Sequence, residues 1–165
     1  MLKMIAVVPP VRSLPGRSTS TSHCRHCSEY ESLAHVLGKC SYGELLRIQR
    51  HNIVRTLLAN ALRFQGLEVH EEVHCVADND SNRRIDIIAI NRKKRLAEII
   101  DPTIRFEVSS NQPEEVNIEK KIIYEPTVPY FLTKYNLDII TVTGLFFGSR
   151  GTNSKFFVFM KAFKA

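Results

Sequence analysis

Residues Arg84-Ile85-Asp86-Ile87-Ile88-Ala89-Ile90-Asn91-Arg92-Lys93-Lys94-Arg95-Leu96-Ala97-Glu98-Ile99-Ile100-Asp101 hold two apolar runs separated by a short polar, basic stretch. Runs this rich in isoleucine, bounded by turn residues, predict two strands, 84–90 and 95–106, joined at 91–94 as a hairpin. Each run carries one aspartate, and a carboxylate among isoleucines is costly to bury unless it is paired or binds a metal. Antiparallel pairing would bring Asp86 and Asp101 together at one end of the ribbon. Their odd, fifteen-residue separation suggests a slip or bulge, with Pro102, which has no N–H, as its site. The alternative is two strand-end residues at the rim of the sheet.

Outward from this ribbon the elements alternate. Ser41-Tyr42-Gly43-Glu44 has the pattern of a capping box opening a helix that Gly66 stops near Gln65. Its apolar stripe, Leu46, Ile53, Val54, Leu57, Leu58, Ala61 and Leu62, has helical spacing and needs a sheet to cover it. Residues 67–77 alternate as a strand, and 78–82 form a turn cluster. Downstream, 113–125 reads as a helix with Pro113 in its first turn, and a further turn or helix extends through Tyr135. Residues 138–147 read as a buried strand, and 154–163 as a terminal helix or strand. The expected fold is a mixed α/β sheet domain of order α-β-β-β-α-β-α. It is preceded by an irregular segment (1–23) rich in Pro and Ser and a small Cys/His module (24–40), so the sheet domain spans 41–165.

At 165 residues and 44% apolar content the chain can build one core. No run approaches the length of a membrane span, so no membrane partner is expected. The apolar start is broken by Pro9 and Pro10 and reads as neither signal peptide nor anchor. The net charge of +6 is unevenly spread. Residues 1–65 carry nine Lys/Arg against three Glu, and 66–165 carry fourteen of each sign. A basic front half suits a phosphate backbone; a solvated surface is the plainer alternative.

Cys24, Cys27, His35 and Cys40 have the spacing Cys-x2-Cys-x7-His-x4-Cys, three thiolates and an imidazole suited to a structural Zn²⁺. So small a loop has little core, and metal binding would fold it. The alternative is a chance cluster of free thiols. His23 and His26 are alternative fourth ligands, but both lie too near the first cysteines to close a tetrahedron comfortably, so His35 is preferred. With three cysteines so committed and Cys75 alone, a disulfide scaffold is not expected, and a reducing intracellular compartment is.

For the aspartates, two oxygen donors at a cleft suit Mg²⁺ or Mn²⁺, which would activate a water and stabilise charge on phosphorus. Lys120 on the following helix would add a cation near the scissile phosphate, and Tyr124, at i+4, shares its face. A solvated helix face is the alternative for Lys120 and Lys121. Glu98 alternates away from Asp101 and is set aside; Glu107 is within reach. His51 would contact phosphate or pack.

The ordered set closely resembles a known module. It comprises Cys24 to Cys40, Arg50-His51-Asn52, Arg84-Ile85-Asp86, Asp101-Pro102-Thr103-Ile104-Arg105-Phe106-Glu107, Lys120-x3-Tyr124, 144–152 and Lys155-Phe156-Phe157. The module is the C-terminal zinc knuckle and restriction-like endonuclease of site-specific, type-one non-LTR retrotransposon Pol polyproteins. The resemblance runs from about Ser13 to the end. It implies a PD-(D/E)xK-type nuclease whose lysine has moved from the strand to the next helix. Thr103 then stands where a strand lysine would be, Asp86 and Asp101 match the metal carboxylates, Lys120 the catalytic lysine and Tyr124 its neighbour. Ile85 replaces the proline expected before the first aspartate. The resemblance further implies a divalent-metal DNA endonuclease that nicks double-stranded target DNA in the nucleus to prime reverse transcription. The element's RNA would be a second partner, and double-strand cutting would need a dimer. Arg25, Arg47, Arg50, His51, Arg55, Arg84 and Arg105 are the expected nucleic-acid contacts. The sequence holds no polymerase and reads as a polyprotein fragment, a truncated copy or a solitary descendant. The alternative function is a catalytically inactive, zinc-stabilised nucleic-acid-binding remnant.

Overall fold

The computed structural model describes residues 11–14 and 21–151. The expected terminal element at 154–163, and most of the irregular segment 1–23, lie outside the described residues. Contacts divide the chain into two compact units, Met1–Gln49 and Arg50–Ala165.

The second unit is a four-stranded mixed sheet with helices on both faces. Helix α1 (Glu44–Phe64) is followed by β1 (Glu68–Val76), β2 (Asn82–Asn91) and β3 (Leu96–Arg105). Helix α2 (Gln112–Tyr124), a 3-10 turn (Glu125–Thr127) and α3 (Val128–Tyr135) then lead to β4 (Ile139–Gly148). The strand order is β1-β2-β3-β4, antiparallel through β3, with β4 parallel to β3. A parallel neighbour needs a crossover, and α2 and α3 supply it. The apolar runs are unbroken because both faces are covered. Ile87, Ala89 and Ile100 pack with Leu58, Ala59 and Leu62 of α1, while Ile88, Ile90 and Ile99 pack with Tyr124 and Phe131 on the other side.

Three local expectations are corrected. No slip joins the hairpin: the ladder runs unbroken from Asn91↔Leu96 to Ile87↔Ile100. The loop holds four residues, 92–95, with Arg95 at φ 53°, and an even-numbered loop accommodates the odd separation. One more step in this register sets Asp86 opposite Asp101. The capping box does not form either. Ser41–Gly43 is a 3-10 turn, and extended Cys40 precedes it (φ −61°, ψ 124°), its carbonyl accepting from the Gly43 N–H and the Arg47 guanidinium. Finally, the sheet covers a narrower arc of α1 than expected. Leu58 and Leu62 are buried with Val54 packed beside them, whereas Leu46, Ile53 and Leu57 are each at least 60% exposed.

The hairpin is reshaped where the aspartate lies. Glu72 has φ 54°, a conformation costing a non-glycine residue about 1–2 kcal/mol. It falls between the paired positions Glu71↔Ile87 and Val73↔Ile85, opposite Asp86. Across this point the two strands exchange faces. Val69 and Ile87 pack towards α1, but Val73 and Ile85 pack towards α2 and α3. Arg55 of α1 holds the turned segment by pairing with both Glu71 and Glu72.

Glu98 sits partly buried on β3 and accepts a short hydrogen bond from the Thr143 hydroxyl. Burial pushes its carboxyl up to about 7 against the lowering effect of that bond. A carboxyl raised on folding contributes stability below its unfolded value, about 4.5, and loses it as pH climbs to 7. Glu98→Gln should therefore flatten the stability profile between pH 4.5 and 7 and add up to about 3 kcal/mol at pH 8. Urea melts across pH measure this; a pH slope preserved in the variant would contradict it.

Candidate metal centre and carboxylate–lysine site

In the first unit a short antiparallel bridge, His23↔Tyr30, closes the loop that begins the Cys/His module. Cys24 N–H donates to the Glu29 carbonyl (2.7 Å) and Glu31 N–H to that of Ser22 (2.9 Å). The buried Glu31 carboxylate accepts the N–H groups of Arg12 and Arg25. Burial raises its pKa, but these donors outweigh it and hold the carboxyl low. Ser32 Oγ accepts from His35 N–H at 3.1 Å. A single π-helical turn (His35–Lys39) then lets Cys40 N–H reach the His35 carbonyl at 2.8 Å. These bonds set four side chains together. Donor atoms of Cys24, Cys27, His35 and Cys40 all lie within 4.8 Å of one another. Cys24 Sγ is 3.7 Å from Cys40 Sγ, and Cys27 Sγ is 3.2 Å from His35 Nε2.

Two sulfurs at about 2.3 Å from a tetrahedral Zn²⁺ lie about 3.8 Å apart, so the cluster could hold zinc. The N–H of His26 holds the Cys24 thiol down at about 6, against burial, which favours the thiolate a metal needs. His35 belongs to the cluster; His26 stacks on Tyr42 and His23 bonds Thr21. Purified protein should contain about one Zn²⁺ per chain, and Cys27→Ser should lose it, as read by elemental analysis. Full zinc retention by the variant would mean the thiols are not ligands.

The second constellation is built at the end of β3. Asp101 is 5% exposed. Its Oδ1 accepts from Thr103 Oγ1 (2.8 Å), and its Oδ2 takes the Tyr124 hydroxyl (2.9 Å) and lies 3.1 Å from Lys120 Nζ. Lys120 and Tyr124 reach it together because they are one helical turn apart on α2. Burial, then the Asp101 charge, push the Tyr124 phenol well above its usual range, keeping it a neutral donor.

Asp86 has a different partner, His51 of α1, at 3.1 Å. The hydrogen bond to Asp86 raises the His51 imidazole, with a smaller contribution from Asp101. Asp86 likewise contributes to raising Tyr124. The two carboxylates thus act on each other's partners, although Asp86 turns towards α1 and Asp101 towards α2.

The remaining sequence-selected residues lie as follows. Arg55 is largely buried against Glu71 and Glu72. Arg84 pairs with Glu72 (2.9 Å) and Arg105 with Glu119 (2.6 Å). Arg50 donates to the Ser149 carbonyl, Arg47 to that of Cys40, and Arg25 pairs with Glu31 at 3.8 Å. Glu107 binds the Ser149–Arg150 turn instead of the aspartates.

Sequence reasoning passed over Gly144 and the bonding role of Thr103. Thr103 follows Asp101 at i+2 on the same face, a period-2 signal that was available. Gly144 on β4 is level with Asp101 in the parallel ladder. A Cβ there would meet the Val116 carbonyl oxygen at 2.8 Å and the Lys120 side chain at 2.8 and 2.9 Å. The missing side chain is what lets α2 close on β4, and Asn117 seals the contact by accepting the Gly144 N–H at 3.1 Å. Gly144→Ala should destabilise by about 1–3 kcal/mol, measurable by denaturant unfolding; an unchanged midpoint would show that α2 does not rest there.

No family model matches the chain. Over 147 residues it is 26% identical to the "Retrovirus-related Pol polyprotein from type-1 retrotransposable element R2" of Popillia japonica. The aligned region covers 87% of this chain and 30% of that protein. The chain therefore has distant similarity to a retrotransposon Pol polyprotein and spans under a third of that relative's length.

Proposed function

We propose that the chain is a restriction-like, PD-(D/E)xK-type endonuclease module of a non-LTR retrotransposon, cutting double-stranded DNA with a divalent metal ion. The observation that carries the reading is the meeting of Asp101, Lys120 and Tyr124 within 3.1 Å, beside Asp86 from the neighbouring strand. The distant similarity to a Pol polyprotein supports the same reading.

Mg²⁺ or Mn²⁺ takes one or two carboxylates and keeps waters and phosphate as further ligands. Asp101 offers one, and Asp86, opposite it when the β2–β3 register is continued, would have to turn from His51 to offer the second. When bound, the ion would acidify an attacking water and neutralise charge at phosphorus. Asp86 and Asp101 would hold it. Lys120 would then turn from Asp101 to the scissile phosphate or the attacking water. Tyr124 would orient Asp101 through its hydroxyl, and Thr103 would fix the second oxygen. His51 would set the direction of Asp86. Such a module would work in the nucleus, as part of a longer polyprotein, with the element's RNA as a second nucleic-acid partner and a dimer for cutting both strands.

One observation favours a second reading, an inactive nucleic-acid-binding remnant. Each carboxylate already has a protein partner, the Lys120 ammonium for Asp101 and the His51 imidazole, whose pKa Asp86 raises, for Asp86, so both are satisfied without a metal.

Plasmid nicking separates the two. With Mg²⁺ or Mn²⁺ the wild-type chain should convert supercoiled to open-circular DNA. Asp101→Ala should abolish the activity, and Lys120→Ala should lower it about 100-fold or more. Nicking that survives Asp101→Ala would overturn the catalytic assignment; no nicking by the wild type would favour the remnant.

A further inference from the structure

The module around the cysteines displays an aromatic pair that the zinc site does not use. The His26 imidazole lies flat on the Tyr42 phenol, with ring centroids 3.7 Å apart and planes 2° from parallel. Both side chains are at the surface, and Tyr42 is 71% exposed. The imidazole stacks on one face of the phenol, and the high exposure of Tyr42 leaves most of the rest of the side chain to solvent. Each ring is held by a neighbouring ligand. His26 N–H donates to Cys24 Sγ, and Tyr42 lies in the 3-10 turn that follows Cys40. Beside the pair lies a hollow of about 260 Å³, lined in part by Val11, Val36 and Leu46, with Arg25 among its polar residues.

The geometry points to a stacking platform for an unpaired nucleobase: Tyr42, backed by His26, binds single-stranded nucleic acid. The chemistry fits in three ways. A parallel pair at 3.7 Å has the spacing and tilt of stacked bases, so a third flat ring continues the column. An aromatic ring held in place by a second ring loses little freedom on binding, and stacking tolerates any base because each has a π-face. The strand's phosphates suit the unit that carries the platform, residues 1–49, where six Lys/Arg stand against three Glu. The internal bases of a duplex cannot use such a platform, because their faces are already stacked on one another. The platform is independent of the Asp101 site and needs no cleavage.

The test is fluorescence anisotropy with the full chain, zinc-loaded and without added Mg²⁺, on fluorescein-labelled oligo(dT) and oligo(U) 12-mers and a blunt duplex of equal length. Tyr42→Ala should weaken binding to both single strands by about 5- to 100-fold, leave duplex binding unchanged and retain zinc. Without a divalent metal the Asp101 site cannot cleave, and the duplex arm reports binding elsewhere on the chain, which separates this platform from the nuclease site. Unchanged affinity of Tyr42→Ala for both single strands, or an equal loss on the duplex, would overturn the proposal. If Tyr42→Ala loses its zinc, a second variant decides. The chain has no tryptophan, so Tyr42→Trp places a lone reporter on the platform. Its emission should be quenched as oligo(dT) saturates it, and unquenched emission at saturation would overturn the proposal.

Discussion

A carboxylate that is almost out of contact with water organises one end of this sheet. Asp101 ends an isoleucine run, and burying its charge there without partners would cost several kcal/mol. The fold meets that demand from two directions. Thr103, two residues along the same strand, occupies one oxygen, and Lys120 with Tyr124 from α2 occupy the other. These bonds fix the position of α2 over β3 and β4. They also explain why β4 carries a glycine opposite the aspartate, since any side chain at 144 would hold the helix off. Removing one partner would leave the remainder of a buried pair unsatisfied, which is why the cluster behaves as a unit.

The neighbouring strand solves the same problem by other means. Asp86 would share the Asp101 face if β2 kept a regular pleat. The left-handed Glu72 on β1 lies where both strands change faces, and Asp86 is turned to His51 on α1. Arg55, reaching inward to Glu71 and Glu72, stabilises the distortion from the helix side. The backbone is thus strained at the aspartate and held there by an arginine network. Strain of this kind concentrates where a fold places a functional group.

Much of this was legible before the structure. Isoleucine runs interrupted by aspartates announced the hairpin, and the shared face of Lys120 and Tyr124 followed from helical spacing. The Cys/His spacing marked four side chains that do converge. What the sequence hid depends on long-range geometry. The turn lies one residue later than the expected 91–94, and that shift, rather than a bulge at Pro102, sets the register that brings Asp86 level with Asp101. The face exchange at Glu72 has no local signature, since glutamate is not a residue that favours positive φ. The arc of α1 that the sheet covers depends on where the strands lie, so Leu46, Ile53 and Leu57 looked buried by period alone. Gly144 could be understood only once α2 was seen against it.

The account rests on Asp86 and Asp101 serving a divalent cation rather than merely each other's neighbours. Manganese binding measured by electron paramagnetic resonance, on zinc-loaded protein without DNA, addresses this directly. The account predicts about one Mn²⁺ bound per chain, lost in Asp101→Asn while the zinc stays. Manganese uptake that is absent from the wild type, or unaffected by Asp101→Asn, would contradict it.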